Sequence, residues 1–338
     1  MAQVIKSKKS FIPLVLGLLF VIIGSSVLNV YADSSTVTVY VPPTSGTPSC
    51  LHMGYWHKLI TGITVWVGSI NIYIGGKPQE GGEHYNAYCI EYNVFLDPGK
   101  TYPQTTLEEA PDEVKWQSIS YILTWYHSES ITNNDGFAIQ VAVWKYATGT
   151  DPIAWNFPAD QSLKNLAYEI YGDAQGKNVV RSGDTLTLNP RDAAVPVGET
   201  QSLTATLSSA KSGVKIKFKV ELPGFFVDDS GGSIGDETEG ITVDGQVTVK
   251  VKSTVEGQVR VEAKTEGKWA YILHMIDQHG KEYQNLIGIG YPEIAAASDV
   301  VFVRFFVIPE IPLGTATVTL VSLAALLSKS KIARLVRP

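Results

Sequence analysis

The chain has 338 residues, with 27 lysines and arginines against 33 aspartates and glutamates, a formal net charge of −6 and two cysteines. That balance leaves no basic footprint for nucleic acid. The sequence holds no phosphate-cradling glycine loop, no HExxH and no GxSxG, and His274 and His279 lack carboxylate or cysteine company at ligand spacing, so neither a cofactor nor a metal is expected.

In chain order, Lys6, Lys8 and Lys9 precede an apolar run from Phe11 to about Val30, and Val30-Tyr31-Ala32 before Asp33 forms a small-residue cleavage site. Residues 1–32 therefore read as a signal peptide, with an uncleaved anchor as the alternative because the run exceeds the usual signal core. Strands are expected near Thr36 to Tyr40 and Ile63 to Ile74. Cys50 follows VPPTSGTPS and carries no motif of its own. In HYNAYCIEYNVF, a strand places Tyr88, Ile90 and Tyr92 on one face and Ala87, Cys89 and Glu91 on the other.

Helical spacing begins after Glu109. Pro111 and Asp112 open a helix with Val114, Ile119, Ile122, Leu123 and Tyr126 at helical intervals. A second follows in DGFAIQVAVWKYATG, where Asn134 or Asp135 can cap the start and Gly149 the end. A third, between Pro158 and Gly176, carries Leu163, Leu166, Ala167 and Ile170. Strands with an inserted helical lobe make this half, residues 33–180, an α+β domain.

Gln140 is the anomaly of the second helix. It stands at apolar-stripe spacing from Phe137, Val141 and Trp144, so its amide is directed into the core. A buried primary amide without partners costs roughly 1–3 kcal/mol, so Gln140 is expected to be hydrogen-bonded or chemically used. If the helix packs on the Cys89 face of the strand, sulfur and amide carbon meet. YCI at Tyr88 to Ile90 and IQVAVW at Ile139 to Trp144 together resemble the thioester domains of bacterial and archaeal surface adhesins, with Ile139 where those domains carry threonine. The resemblance covers roughly Ser34 to Asn178. It implies a barrel or sandwich of strands with a helical lobe, and an internal thioester between Cys89 and Gln140.

The chemistry also follows from the side chains. Addition of the Cys89 sulfur to the Gln140 amide carbon, with loss of ammonia, gives a thioester without a separate catalyst when the groups are held in line. A partner's amine or hydroxyl can then displace the sulfur and stay bound through the Gln140 acyl carbon. Tyr85, Tyr88, Tyr92, Trp125, Tyr126 and Trp144 are the expected water-excluding surroundings. His84 and His127 are candidate proton acceptors, against a surface or capping role, and Glu91 shares the Cys89 face. The main alternative for Cys89 is a disulfide with Cys50, since a cysteine pair in an exported protein is first read as a staple.

From Gly183 the pattern turns to period two. LTLNP, QSLTATL, VKIKFKVEL, GQVTVKVKS, GQVRVEA and DVVFVRFFV alternate apolar and polar residues between Gly, Asp and Ser turns, as an all-β sandwich over 183–308 requires. KWAYILHMIDQHGKEYQNLIGIG fits it less well, as a hairpin around His279-Gly280. PVGETQSLTATL is similar to the opening of bacterial Ig-like domains. In 309–338, Pro309, Glu310 and Pro312 precede an apolar stretch to Leu327 and then Lys329, Lys331, Arg334 and Arg337. This reads as a membrane anchor with a cytoplasmic basic tail. It also resembles the PEF-type sorting signals recognised by archaeosortase or exosortase enzymes, with Ile311 in place of phenylalanine.

Three functions follow. The leading one is a membrane-anchored surface protein that attaches covalently, once and without turnover, to a surface protein or glycan bearing an amine or hydroxyl. The others are a disulfide-stapled carbohydrate or envelope-binding module, for which the aromatic side chains suit sugar stacking, and a cysteine hydrolase or transamidase using Cys89 with His84 or His127.

Overall fold

The computed structural model describes residues 35–58, 64–91, 95–128, 130–149, 160–289 and 295–308, with residue 322. The expected signal peptide, nearly all of the expected anchor and Tyr92 lie outside them. Among the described residues, no helix is long and apolar enough to cross a membrane. The chain forms two compact units, and it passes between them more than once: residues 1–183 and 266–296 make the first, residues 184–265 and 297–338 the second.

In the first unit, β1 (Ser35–Tyr40), β2 (Leu51–Lys58), β3 (Thr64–Ile74), β4 (Glu83–Cys89) and β5 (Thr101–Glu109) precede three helices, α1 (Val114–Trp125), α2 (Asn133–Thr148) and α3 (Gln161–Asp173). The sheet has the order β1-β5-β15-β16-β4-β3-β2, where β15 is Tyr271–His274 and β16 is Leu286–Ile289. Because β1 also pairs with β3, through Val39 and Ile74, six strands close into a barrel and β2 flanks it along β3.

Side-chain alternation divides this unit into two cores. Val39, Ile70, Ile72, Ala87, Tyr102, Leu107, Leu273 and Leu286, drawn from all six strands, fill the barrel. The outward residues Val67, Tyr88, Ile272 and Ile287 meet Ile119, Phe137, Val141, Trp144 and Ile170 of the helices. The helices therefore cover the Tyr88 and Ile90 face of β4, so packing on the Ala87 and Cys89 face, the condition under which the sequence brings sulfur and amide together, is not what forms; Cys89, at the end of the strand, touches both cores.

The helix boundaries follow local chemistry. Thr132 caps α2 and exchanges hydrogen bonds with Asp135, a capping box that starts two or three residues before the caps expected at Asn134 or Asp135. Gly149 ends it in the left-handed conformation, at φ 69°. α1 begins at Val114, three residues after Pro111, and α3 is capped by Asp160. The N-terminal end of α2 lies directly on backbone: a Cβ at Gly136 would overlap the carbonyl oxygen of Met53 on β2, as would one at Gly68 on β3. Asn133 Oδ1 accepts from Gly54 N, at 3.3 Å, and Tyr55 donates its hydroxyl to Asn134 Oδ1, at 2.5 Å. This close approach fixes the depth at which the helix delivers Gln140.

The second unit is a β-sandwich. One five-stranded sheet has the order β11-β10-β13-β8-β6, formed by Ser233–Gly235, Gly224–Val227, Gln246–Ser253, Thr200–Leu207 and Leu186–Asn189. The other has β12-β9-β14-β17-β7, formed by Glu237–Ile241, Lys215–Val220, Gly257–Gly267, Ala295–Phe306 and Asp192–Pro196, and β7 runs parallel to β17. Phe218 and Phe226, one from each sheet, meet edge to face at 6.4 Å.

The expected division at residue 183 with a sandwich running to 308 needs correction. KWAYILHM and QNLIGIG are the barrel strands β15 and β16, pairing with β5 and β4. Arg181 stacks over Trp269 at 3.6 Å, and Trp269 Nε1 donates to Ala110 O, so the returning segment is bound at its entry as well.

Two outcomes follow. A chain ending at residue 183 lacks two of six barrel strands and is expected to show no cooperative thermal unfolding by near-UV circular dichroism, whereas residues 33–308 unfold cooperatively. Gly136→Ala pushes α2 off Met53 and is expected to cost about 1–3 kcal/mol in denaturant unfolding, the range for overpacking a filled site.

Candidate functional site

Cys89 is the last residue of β4. The β3–β4 ladder pairs Ile74 with Glu83 and ends with Ile70 opposite Ala87. Continuing that register would put Gly68 opposite Cys89, but there the ladder has opened. The vacant edge is taken by the fully buried side chain of Gln140. Cys89 N donates to Gln140 Oε1 at 3.0 Å, and Gln140 Nε2 donates to Cys89 O at 2.8 Å. A primary amide has the same donor and acceptor as a peptide group, so Gln140 completes the sheet where the neighbouring strand turns away.

The pairing satisfies the buried amide and sets its carbon against Cys89. It also aims a backbone N–H at the atom that becomes negatively charged if sulfur adds to that carbon, the arrangement by which oxyanions are stabilised. Cys89 is a free thiol, and burial pushes it up to about 12, with the nearby Cys50 and Glu91 adding to the effect. At neutral pH the sulfur therefore keeps its proton, and thiolate chemistry in open solvent is suppressed.

Cys50 is also free, raised to about 11 by burial. Asn71 N donates to Cys50 O, which places Cys50 beside β3 on the edge away from β4. Cys50 and Cys89 line one cavity, but both are free thiols, so the alternative staple is not formed in this structure.

Both cysteines line a cavity of about 300 Å³ together with Trp56, Trp66, Phe95, Leu96, Pro98, Trp144 and Gln284, and among the described residues none of its wall is charged. Trp56 and Trp66 meet edge to face at 5.7 Å, and Trp56 and Phe95 are 53 % and 52 % exposed at the rim. Of the aromatic residues expected from sequence, Trp144 lines this cavity. Tyr85 bonds Glu83, Tyr126 bonds Asp173, and Trp125 packs with Tyr121. Trp56, Trp66, Phe95 and Gln284 were missed, because no local pattern marks residues that meet through barrel closure.

The two histidines sit elsewhere. His84 is exposed, with Nε2 2.8 Å from Asn71 Oδ1, and lies five strand residues from Cys89, about 17 Å away. His127 is 6 % exposed, on the helical side, with Nδ1 3.0 Å from the Tyr88 hydroxyl. Burial, then Lys268 and His52, lower it to about 4, so it is neutral at pH 7. Glu91 is committed to the returning segment, where Oε2 accepts from Asn285 N at 3.0 Å.

No family model matches this chain, and no curated protein matches it. Among solved structures it is similar to the Bacillus anthracis TIE protein, at 11% identity and TM-score 0.33 over 80% of this chain and 49% of that one. It is similar also to the thioester domain of the Enterococcus faecium TIE86 protein, at 12% identity and TM-score 0.34 over 80% of this chain and 97% of that one. The chain spans about half the length of the Bacillus anthracis protein. Scores at this level carry no argument about function, which rests on the geometry of Cys89 and Gln140.

The buried imidazole generates a pH dependence. Above pH 6.5 His127 is neutral folded or unfolded; as pH falls, the unfolded chain takes the proton first, and stability drops until about pH 4, where both states carry it. The loss attributable to His127 is at most about 3 kcal/mol. Urea unfolding at pH 7 and pH 4 is expected to show a smaller difference in His127→Gln than in the unsubstituted chain.

Proposed function

We propose that this chain is an exported surface protein that forms an internal thioester between Cys89 and Gln140 and uses it to attach covalently to a partner. The observation that supports this reading is the two-point pairing of the Gln140 amide with the Cys89 backbone. In the forming step the Cys89 sulfur bonds to the Gln140 amide carbon, the carbon–nitrogen bond breaks, and the thiol proton leaves with the nitrogen as ammonia. Cys89 N–H stabilises the developing charge on Oε1, and the fixed pairing supplies the orientation that makes the reaction intramolecular.

The cavity that Cys89 lines, walled by Trp56, Trp66, Phe95 and Trp144, is the route proposed for the partner, and its apolar wall disfavours bulk water beside the sulfur. An amine or hydroxyl on a surface protein or glycan enters there, bonds to the acyl carbon and releases Cys89 as a thiol. The event occurs once per molecule, so the protein is a covalent adhesin and not a turnover enzyme. The β-sandwich serves as an Ig-like spacer between the reactive unit and a C-terminal anchor, with or without processing by an archaeosortase or exosortase-like enzyme.

A second reading, non-covalent binding of a carbohydrate at the same mouth, is favoured by the exposed rings of Trp56 and Phe95. Intact mass separates the two. The exported chain is expected to be lighter than its sequence by one ammonia, and to gain one methylamine on exposure to it; neither change should occur in Cys89→Ala or Gln140→Ala. A full sequence mass with a titratable Cys89 thiol would sink the thioester and leave the carbohydrate reading. A deficit of two hydrogens would mean a Cys50–Cys89 disulfide instead.

A further inference from the structure

We infer that Gln284, contributed by the returning segment, orients the nucleophile that attacks the Gln140 acyl carbon; this rests on the thioester reading above. Leu286 pairs with Cys89 across β16 and β4, so Gln284, two residues earlier, shares the face of the Cys89 side chain. Both residues line the same cavity. Gln284 is 6 % exposed, and its Nε2 donates to Glu91 O at 2.6 Å.

That bond decides which way the amide points. Its partner is a carbonyl oxygen, so the nitrogen must face Glu91 and Oε1 lies on the opposite side of the group. Among the described residues, Oε1 receives no hydrogen bond and is not sealed from the cavity. A polar side chain buried to this degree is ordinarily paired at every group, and here one strong acceptor is left over.

Among the described residues the wall carries no carboxylate, amine or imidazole; besides Gln284 its polar side chains are the Thr44 hydroxyl, the thiols and the indoles, which are donors only. An amine attacking the thioester acquires positive charge as its nitrogen bonds to the acyl carbon. It needs an acceptor for an N–H until the carbon–sulfur bond breaks and the proton passes to the departing Cys89 sulfur. Gln284 Oε1 supplies that acceptor, and favours nucleophiles that bring an N–H or O–H. A thiolate, with no proton to give, gains nothing from it.

The experiment compares methylamine with a small thiolate as nucleophiles on the full exported chain, following intact mass with time. The ratio of their capture rates is expected to fall roughly tenfold or more in Gln284→Met, the size of one hydrogen bond to a group gaining charge. It should rise above the unsubstituted value in Gln284→Glu, where a carboxylate attracts the amine and repels the thiolate. A ratio unchanged in either variant that carries the thioester, or both rates falling together, overturns the role of Gln284 while leaving the thioester intact. Absence of the ammonia deficit from the unsubstituted chain overturns the thioester, and this role with it.

Discussion

Where β3 turns away from β4, Cys89 would be left with an unpaired N–H and C=O beside a hydrophobic core, an arrangement that costs several kcal/mol if nothing answers it. The Gln140 amide answers both groups at once. Much of the first unit can be understood as the means of holding that amide in place. The capping box at Thr132 sets the start of α2, and Gly136 and Gly68 let it rest on the carbonyl of Met53. From there Gln140 is one helical turn further along, at the height of the open ladder.

The same constraint serves stability and reactivity. As a hydrogen-bonded pair, Gln140 and Cys89 close the sheet and seal the junction between the barrel core and the helical core. The contact that satisfies the amide also holds it against the Cys89 backbone, with its oxygen next to a backbone donor. Burial keeps the Cys89 thiol protonated, so its reactivity toward outside electrophiles is suppressed.

The returning segment ties the two units into one covalent path. The strands that complete the barrel, β15 and β16, follow most of the sandwich strands in sequence. The first unit therefore depends on contacts of high sequence separation, such as Leu286 with Cys89. The segment brings more than strands. It carries Gln284 to the cavity wall and pairs Asn285 with Glu91, so the environment of Cys89 is assembled from three distant stretches of chain.

By itself the sequence determined the local features: three helices by their 3.6-residue period, the alternating strands, the Gly149 stop, and Gln140 as a polar residue on an apolar stripe. These are legible because each depends on neighbours within a turn or a strand. Tertiary structure alone decided which sheet an alternating segment joins, since period two marks a strand without naming its partner. KWAYILHM reads like a sandwich strand and belongs to the barrel. It alone decided that α2 covers the Tyr88 face, that Cys50 and Cys89 stay free thiols beside one cavity, and that Trp56, Trp66, Phe95 and Gln284 gather there. Those are outcomes of barrel closure, where the energy is in pairings between residues far apart in the chain, and no local pattern records them.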